Sequence, residues 1–226
     1  MTPHVLDRPI WHALRSLQSN HAEGSALAVR YEQDIAPFAA AANDSSEALQ
    51  ELADLTSTHT NVVLLQASHS EIPPGTIAEA TFAGVQLVAK TISKSILTDN
   101  IVELGDEDAP AMQALATLTK PGPFLKRTHL LGQFLGIKHD GQLVAMAGER
   151  MKLTGYTEVS GVCTHPDYRG NGYGRLLSQA VSQQIARRGE TPFLHAFASN
   201  TNAIQLYESI GFVRRSDMSV MVLRRA

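Results

Sequence analysis

Cysteine is almost missing from this chain. A single one among 226 residues, Cys163, excludes an internal disulfide and a zinc-finger arrangement. The nine histidines nowhere adopt a metal-ligand spacing such as His-Glu-x-x-His, so no metal is expected. Long apolar runs are missing too. Stretches such as Ile35 to Ala42 fall well short of the ~20 residues that span a bilayer, so no membrane partner is expected. No long basic run occurs and the formal net charge is −3, which argues against nucleic acid as the main partner. Neither a signal-peptide pattern, nor an internal repeat, nor a low-complexity tail stands out, so the expectation is a cytoplasmic protein. What remains, 43% hydrophobic and 18% charged residues, is the composition of a folded chain with a sizeable core.

The most informative segment runs from Val162 to Leu177, Val-Cys-Thr-His-Pro-Asp-Tyr-Arg-Gly-Asn-Gly-Tyr-Gly-Arg-Leu-Leu. It reads as a strand, a tight turn and the first turn of an amphipathic helix. Gly170, Gly172 and Gly174 leave little side chain between a ligand and the backbone amides. Those amides lie where a helix begins, so unpaired N–H groups and the positive end of the helix dipole converge there. Such a spot binds a phosphate or pyrophosphate, and Arg169 and Arg175 add positive charge. A P-loop would need Lys and then Ser or Thr after the last glycine, where Arg175 and Leu176 stand. A dinucleotide fingerprint from Gly172 would need Gly or Ala at Leu177, and its acidic ribose partner could only be Glu190, beyond the helix.

A second block, Asn200 to Phe212, follows a short apolar run. Asn200 to Asn202 are helix-capping types, Ala203, Leu206, Tyr207 and Ile210 recur at helical spacing, and Gly211 stops the helix. Arg-Gly-Asn-Gly-Tyr-Gly with its His-Pro-Asp-Tyr lead-in resembles the pyrophosphate-binding motif of the GNAT superfamily of acyl-CoA-dependent N-acyltransferases. Asn-x-x-Ala-x-x-x-Tyr-x-x-x-Gly-Phe is similar to that superfamily's second block. The resemblance covers about residues 158 to 226 and is nearest the glycine N-acyltransferase-like branch.

The periodicity predicts helices over Pro9–Gln18, Ser46–Leu55, Asp108–Leu118 and from Gly172 to about Arg187. Strands are expected at Ala26–Tyr31, Asn61–Gln66, Ala83–Ile92, Gln133–Lys138, Gln142–Arg150, Tyr156–Thr164, Pro192–Ala198 and Val213–Leu223. Asp140-Gly141 marks a hairpin. The fold class is α/β: a GNAT-like mixed, mostly antiparallel sheet flanked by helices. Composition shifts near residues 90–110, so two domains are expected. Residues 1–100 form an N-terminal α/β subdomain, a candidate worn second copy of the fold, and residues 101–226 form the GNAT N-acetyltransferase domain.

The resemblance implies acetyl transfer from acetyl-CoA to a primary amine by direct attack, without a covalent intermediate or a metal. It implies that the strands Tyr156–Thr164 and Pro192–Ala198 splay apart around the pantetheine arm. In that arrangement Val162, Cys163, Thr164 and Asn200 contact pantetheine, and the backbone of Gly170, Asn171, Gly172, Tyr173, Gly174 and Arg175 holds the pyrophosphate, with Arg169 at the entrance. Tyr207 aligns with the superfamily's tyrosine, the acid for the departing thiolate; Glu158 is the candidate base and Glu149 a weaker one. Cys163 reads as a small buried residue and His195 as a satisfied core histidine. The acceptor is a small-molecule or protein amine, and the resemblance also raises a homodimer. The alternative from another class is a catalytically silent CoA-binding sensor or assembly module.

Overall fold

Phe193 and Leu194 are neighbours in sequence and both are inaccessible, because the strand that carries them is covered on both faces. The computed structural model describes residues 4–57, 60–67, 71–92 and 100–226. In chain order the elements are α1 (Pro9–Leu14), β1 (Ala22–Gly24), β2 (Ala28–Tyr31), β3 (Ala39–Ala41), α2 (Ser46–Asp54), β4 (Val62–Gln66), β5 (Thr76–Ala89) and β6 (Val102–Leu104). There follow α3 (Ala109–Thr119), β7 (Phe134–His139), β8 (Gln142–Leu153), β9 (Tyr156–Thr164), α4 (Tyr173–Arg187), β10 (Thr191–Phe197), α5 (Thr201–Ser209) and β11 (Phe212–Arg225). β1, β2 and β3 make a small antiparallel sheet. The other strands form one sheet in the order β4-β11-β5-β10-β9-β8-β7-β6, in which β9–β10 is parallel and the remaining pairs are antiparallel. The mixed, mostly antiparallel α/β sheet flanked by helices is the expected fold class.

Alternation along the strands sends side chains to two cores. Against one face α4 presents Leu177, Val181 and Ile185, packed on Leu135, Val144, Val159 and Leu194. Each of these fully buried aliphatics contributes roughly 1.5–3 kcal/mol. The other face meets the N-terminal elements: Leu6, Ile10, Leu14, Tyr31 and Phe38 pack with Met151, Leu153, Phe193 and Met218. α3 covers the same side further along through Met112 and Leu115 on Phe134 and Met146.

This core is shared across the expected division at residue 100. β5 lies between β10 and β11, registered from Gly84↔Phe197 to Val88↔Phe193 on one side and from Thr76↔Arg225 to Ala89↔Phe212 on the other. β10 and β11 do not bond each other, so the first hundred residues supply a middle strand of the sheet. Residues 93–99, where the boundary was expected, lie outside the described residues. β5 starts earlier and ends sooner than the expected Ala83–Ile92, and no residue of its first half is fully buried, Ile77 and Phe82 included. α1 ends at Leu14, short of the expected Gln18, whose side chain is buried and bonds the carbonyls of Leu131 and Arg150.

Candidate functional site

β9 and β10 run together for only three registered pairs, Thr191↔Tyr156, Pro192↔Thr157 and Phe193↔Glu158. Beyond them β9 stays with β8, at Ser160↔Gly148, Cys163↔Met146 and Thr164↔Ala145, while β10 stays with β5. The facing edges of Val159–Thr164 and Leu194–Phe197 therefore have no strand partner across the gap, and backbone N–H and C=O groups there are open to a ligand. The cleft that results measures about 1220 Å³ with its open mouth. Val162, Cys163 and Thr164 line one wall, Asn200, Leu206 and Tyr207 another, and the glycine turn its end.

The glycine turn is built as the sequence predicts. Gly172 is the N-cap of α4 in the left-handed region, φ 74°, and no side chain caps the helix. The first amides of α4 thus lack an intrahelical acceptor and lack a cap. A Cβ placed on Gly170 or Gly172 would meet nothing within 4 Å, so the space above the turn is open. Arg169 and Arg175 are exposed at its rim, with Arg175 Nη2 donating to Ser209 Oγ at 2.8 Å. Asn171 is exposed, and its Nδ2 donates to the Tyr168 carbonyl at 2.9 Å, which closes the loop. The Tyr173 hydroxyl meets His139 Nε2 at 2.8 Å and ties the turn to the β7–β8 hairpin.

Tyr207 and Asn200 reach the cleft from α5. Burial pushes the Tyr207 hydroxyl up to about 12, with Cys163 nearby adding to the effect. The phenol is therefore fully protonated at neutral pH, as a proton donor must be. Asn200 Oδ1 accepts from the Ala203 N–H at 3.2 Å, so it caps α5, and its Nδ2 end is the one left to meet a ligand. Cys163 is buried, and that burial raises its thiol to about 11 against the opposing bonds from Thr119 and the Met146 backbone. A thiol so raised is a poor nucleophile.

Glu158 departs from expectation. Its carboxylate is fully buried and takes a bidentate contact from Arg150, Nε to Oε2 at 2.8 Å and Nη2 to Oε1 at 2.7 Å. His195 Nδ1 lies 2.7 Å from the same Oε1. Burial alone would raise the carboxyl; Arg150 and then His195 overcome it and hold it near about 2. A general base at neutral pH needs a pKa near 7, whereas Glu158 is placed as the ion-pair partner of Arg150. His195 cannot relay for it as placed. Gln86 Oε1 accepts from Arg215 Nη1 at 2.8 Å, and Gln86 Nε2 donates to the Leu6 carbonyl at 2.9 Å. This orientation fixes Gln86 Nε2 as a donor to His195 Nε2, also at 2.9 Å, which occupies the ring lone pair. Glu149 is likewise committed, to Arg188 and Lys152 at 2.8 Å each.

The comparisons with known proteins meet this geometry. A family model described as FR47-like protein matches residues 134–221. The [Ribosomal protein bS18]-alanine N-acetyltransferase of Escherichia coli K12 is 30% identical over 120 residues, which is 50% of this chain and 80% of that protein. A crystal structure of an acetyltransferase of the GNAT family from Novosphingobium aromaticivorans DSM 12444 is 41% identical with a TM-score of 0.94, over 99% of this chain and 100% of that one. The chain belongs to the GNAT family. A GCN5-related N-acetyltransferase from Kribbella flavida, 17% identical with a TM-score of 0.67 over 96% of this chain and 95% of that one, shares the fold. The matches carry the superfamily and not the glycine N-acyltransferase-like branch.

This GNAT protein is thus an acyl-CoA-dependent N-acetyltransferase. Several residues around its cleft escaped the sequence reading: Arg150, Gln86, Phe82 and Phe197. The one available signal was a polar residue inside an otherwise apolar run, as at Gln86 within Val85–Val88. Among the described residues no group of three or more His, Cys, Asp or Glu is placed to hold a metal ion, and no helix is long and apolar enough to cross a membrane.

Proposed function

We propose that acetyl-CoA is the donor and that a primary amine attacks its thioester directly in the opening between β9 and β10. The observation that carries this reading is the junction of three features in one cleft: unpartnered strand edges, an uncapped glycine-bearing helix start, and the Tyr207 hydroxyl. The pyrophosphate sits on the amides of residues 170–175, between Arg169 and Arg175. The pantetheine arm bonds the backbone of Val162–Thr164 and the Asn200 amide. Each amide bond to a charged phosphate oxygen contributes about 1.5–3 kcal/mol.

In the transfer the amine nitrogen forms a bond to the acetyl carbonyl carbon, the C–S bond breaks, and Tyr207 donates its proton to the leaving thiolate. Among the described residues no Asp or Glu lines the acceptor side of the opening. The acceptor therefore reacts from its free-amine fraction after its ammonium proton has left to solvent, and the proton that the nitrogen sheds on becoming an amide returns through solvent to the Tyr207 oxygen. Calorimetry with acetyl-CoA tests the donor site: the wild type binds and Gly172→Glu, whose carboxylate enters the phosphate site, does not. Tyr207→Phe is expected to keep acetyl-CoA binding within a few-fold and to lose about 10²–10⁴ in kcat. A folded wild type that fails to bind acetyl-CoA overturns the reading, and so does binding without turnover on any amine.

A further inference from the structure

The opening at Tyr207 leads into a second hollow of about 1120 Å³, continuous with the first through Lys120, Val162, Asn200 and Tyr207. Its chemistry is lopsided. Among the described residues no carboxylate lines it, Lys120 and Arg150 do, and most of the remaining wall is apolar, from the strands β4, β5, β10 and β11 and from Phe38. Phe82 and Phe197 stand at 45% and 47% exposure with ring centroids 5.4 Å apart, edge to face. Exposed aromatic pairs beside a hollow are uncommon without an apolar ligand to cover them.

Arg150 is the second element. Glu158 takes its Nε and Nη2 edge, and the guanidinium lies 4.8 Å over the Phe38 ring. The Nη1 end makes no bond to Glu158. It lies 3.9 Å from where a Cβ on Gly122 would be, at the loop that roofs the hollow. A guanidinium fixed on two sides, with donors turned into an apolar space, is suited to a carboxylate. A polyamine or aminoglycoside would bring several cations to a wall with no carboxylate among the described lining residues.

We propose that the acceptor is a free α-amino acid with a large apolar side chain, its carboxylate on Arg150 Nη1 and its side chain against Phe82 and Phe197. The proposal rests on the acetyl-transfer reading above. Its reaction balances as amino acid ammonium plus acetyl-CoA giving the N-acetyl amino acid, CoA thiol and one proton.

Initial rates of thiol release from acetyl-CoA are compared for L-phenylalanine, L-leucine, L-alanine, phenethylamine, spermidine and an alanyl peptide. Phenylalanine and leucine are expected to exceed alanine and spermidine by about 100-fold or more in kcat/KM, since each buried methylene is worth roughly 10-fold or more. Phenethylamine, which lacks the carboxylate, is expected to lose about 10–100-fold against phenylalanine, chiefly in KM. Phe82→Ala with Phe197→Ala, both at exposed positions, is expected to erase the preference for phenylalanine over alanine with an unchanged melting curve. Faster turnover of spermidine or of the alanyl peptide overturns this acceptor and leaves the acetyl-transfer reading standing. If acetyl-CoA does not bind, the transfer reading falls, and titration of N-acetyl-L-phenylalanine into the free protein decides the hollow. Binding that is lost in the double variant keeps it as an apolar amino-acid site, and no binding overturns it.

Discussion

At the scale of single residues, Glu158 shows how one charge is made useful without titrating near neutrality. Arg150 is itself buried, and burial opposes its charge; Glu158 more than restores it, so the pair exists only as a pair. Removing one partner of a buried pair leaves the other uncompensated, a cost of about 3–5 kcal/mol. Glu158→Gln is therefore expected to lower Tm by on the order of 10 °C, read by calorimetry. The pH dependence follows from the lowered carboxyl. The stabilisation from Glu158 is complete above the ordinary carboxylate value of 4.5 and is lost as pH falls from there toward about 2. Urea titrations across that window should show a flatter loss of stability in the variant than in the wild type. The donor-side residues were legible because their chemistry is backbone chemistry: glycines, a cap and a helix start are written in consecutive letters. Gln86 and Phe197 were not, because their partners lie far along the chain, as Gln86 to His195 and Arg215 does; Arg150 was not, because it stands among charged neighbours and nothing local marks its pairing with Glu158 on the next strand.

At the scale of elements, the junction between α5 and β11 shows which signals carried. Asn200 caps the helix and Gly211 ends it, as the spacing predicts. Gly211 has φ 99°, and a Cβ there would fall 2.3 Å from the Thr91 carbonyl oxygen, a backbone atom that cannot swing aside. Its own carbonyl accepts from the Lys90 and Thr91 amides at 2.9 and 3.3 Å. Gly211→Ala is expected to destabilise the fold by about 2–4 kcal/mol, since conformational strain and a backbone clash add. Gly141→Ala, in the hairpin turn with open space around it, should cost about 1–2 kcal/mol; parallel chemical denaturation of the two variants checks the difference. Elements with a strong period, such as α4 and β9, were legible to within a residue. β1 and β6 were not, because three residues hold no period, and the first half of β5 was not, because none of its residues is fully buried and Ile77 and Phe82 set no regular alternation.

At the scale of the whole molecule, the sheet joins chain segments that differ in composition. β5 supplies the hydrogen-bonding partner of both β10 and β11, so a fragment of residues 101–226 keeps both GNAT motifs and lacks the strand between them. Such a fragment is expected to show no cooperative thermal transition and to bind ANS, whereas the full chain melts in one step. Pattern reading missed this because pairing between distant strands leaves no mark in local spacing. The same topology sets a schedule for synthesis. β5 emerges well over a hundred residues before β11 is finished, and chains grow at about 5–20 residues per second. For on the order of ten seconds a fourteen-residue strand waits at the ribosome with both edges unpaired. The enzyme's dependence on chaperone shelter during translation should thus concentrate on its first half, the part farthest in sequence from its glycine turn.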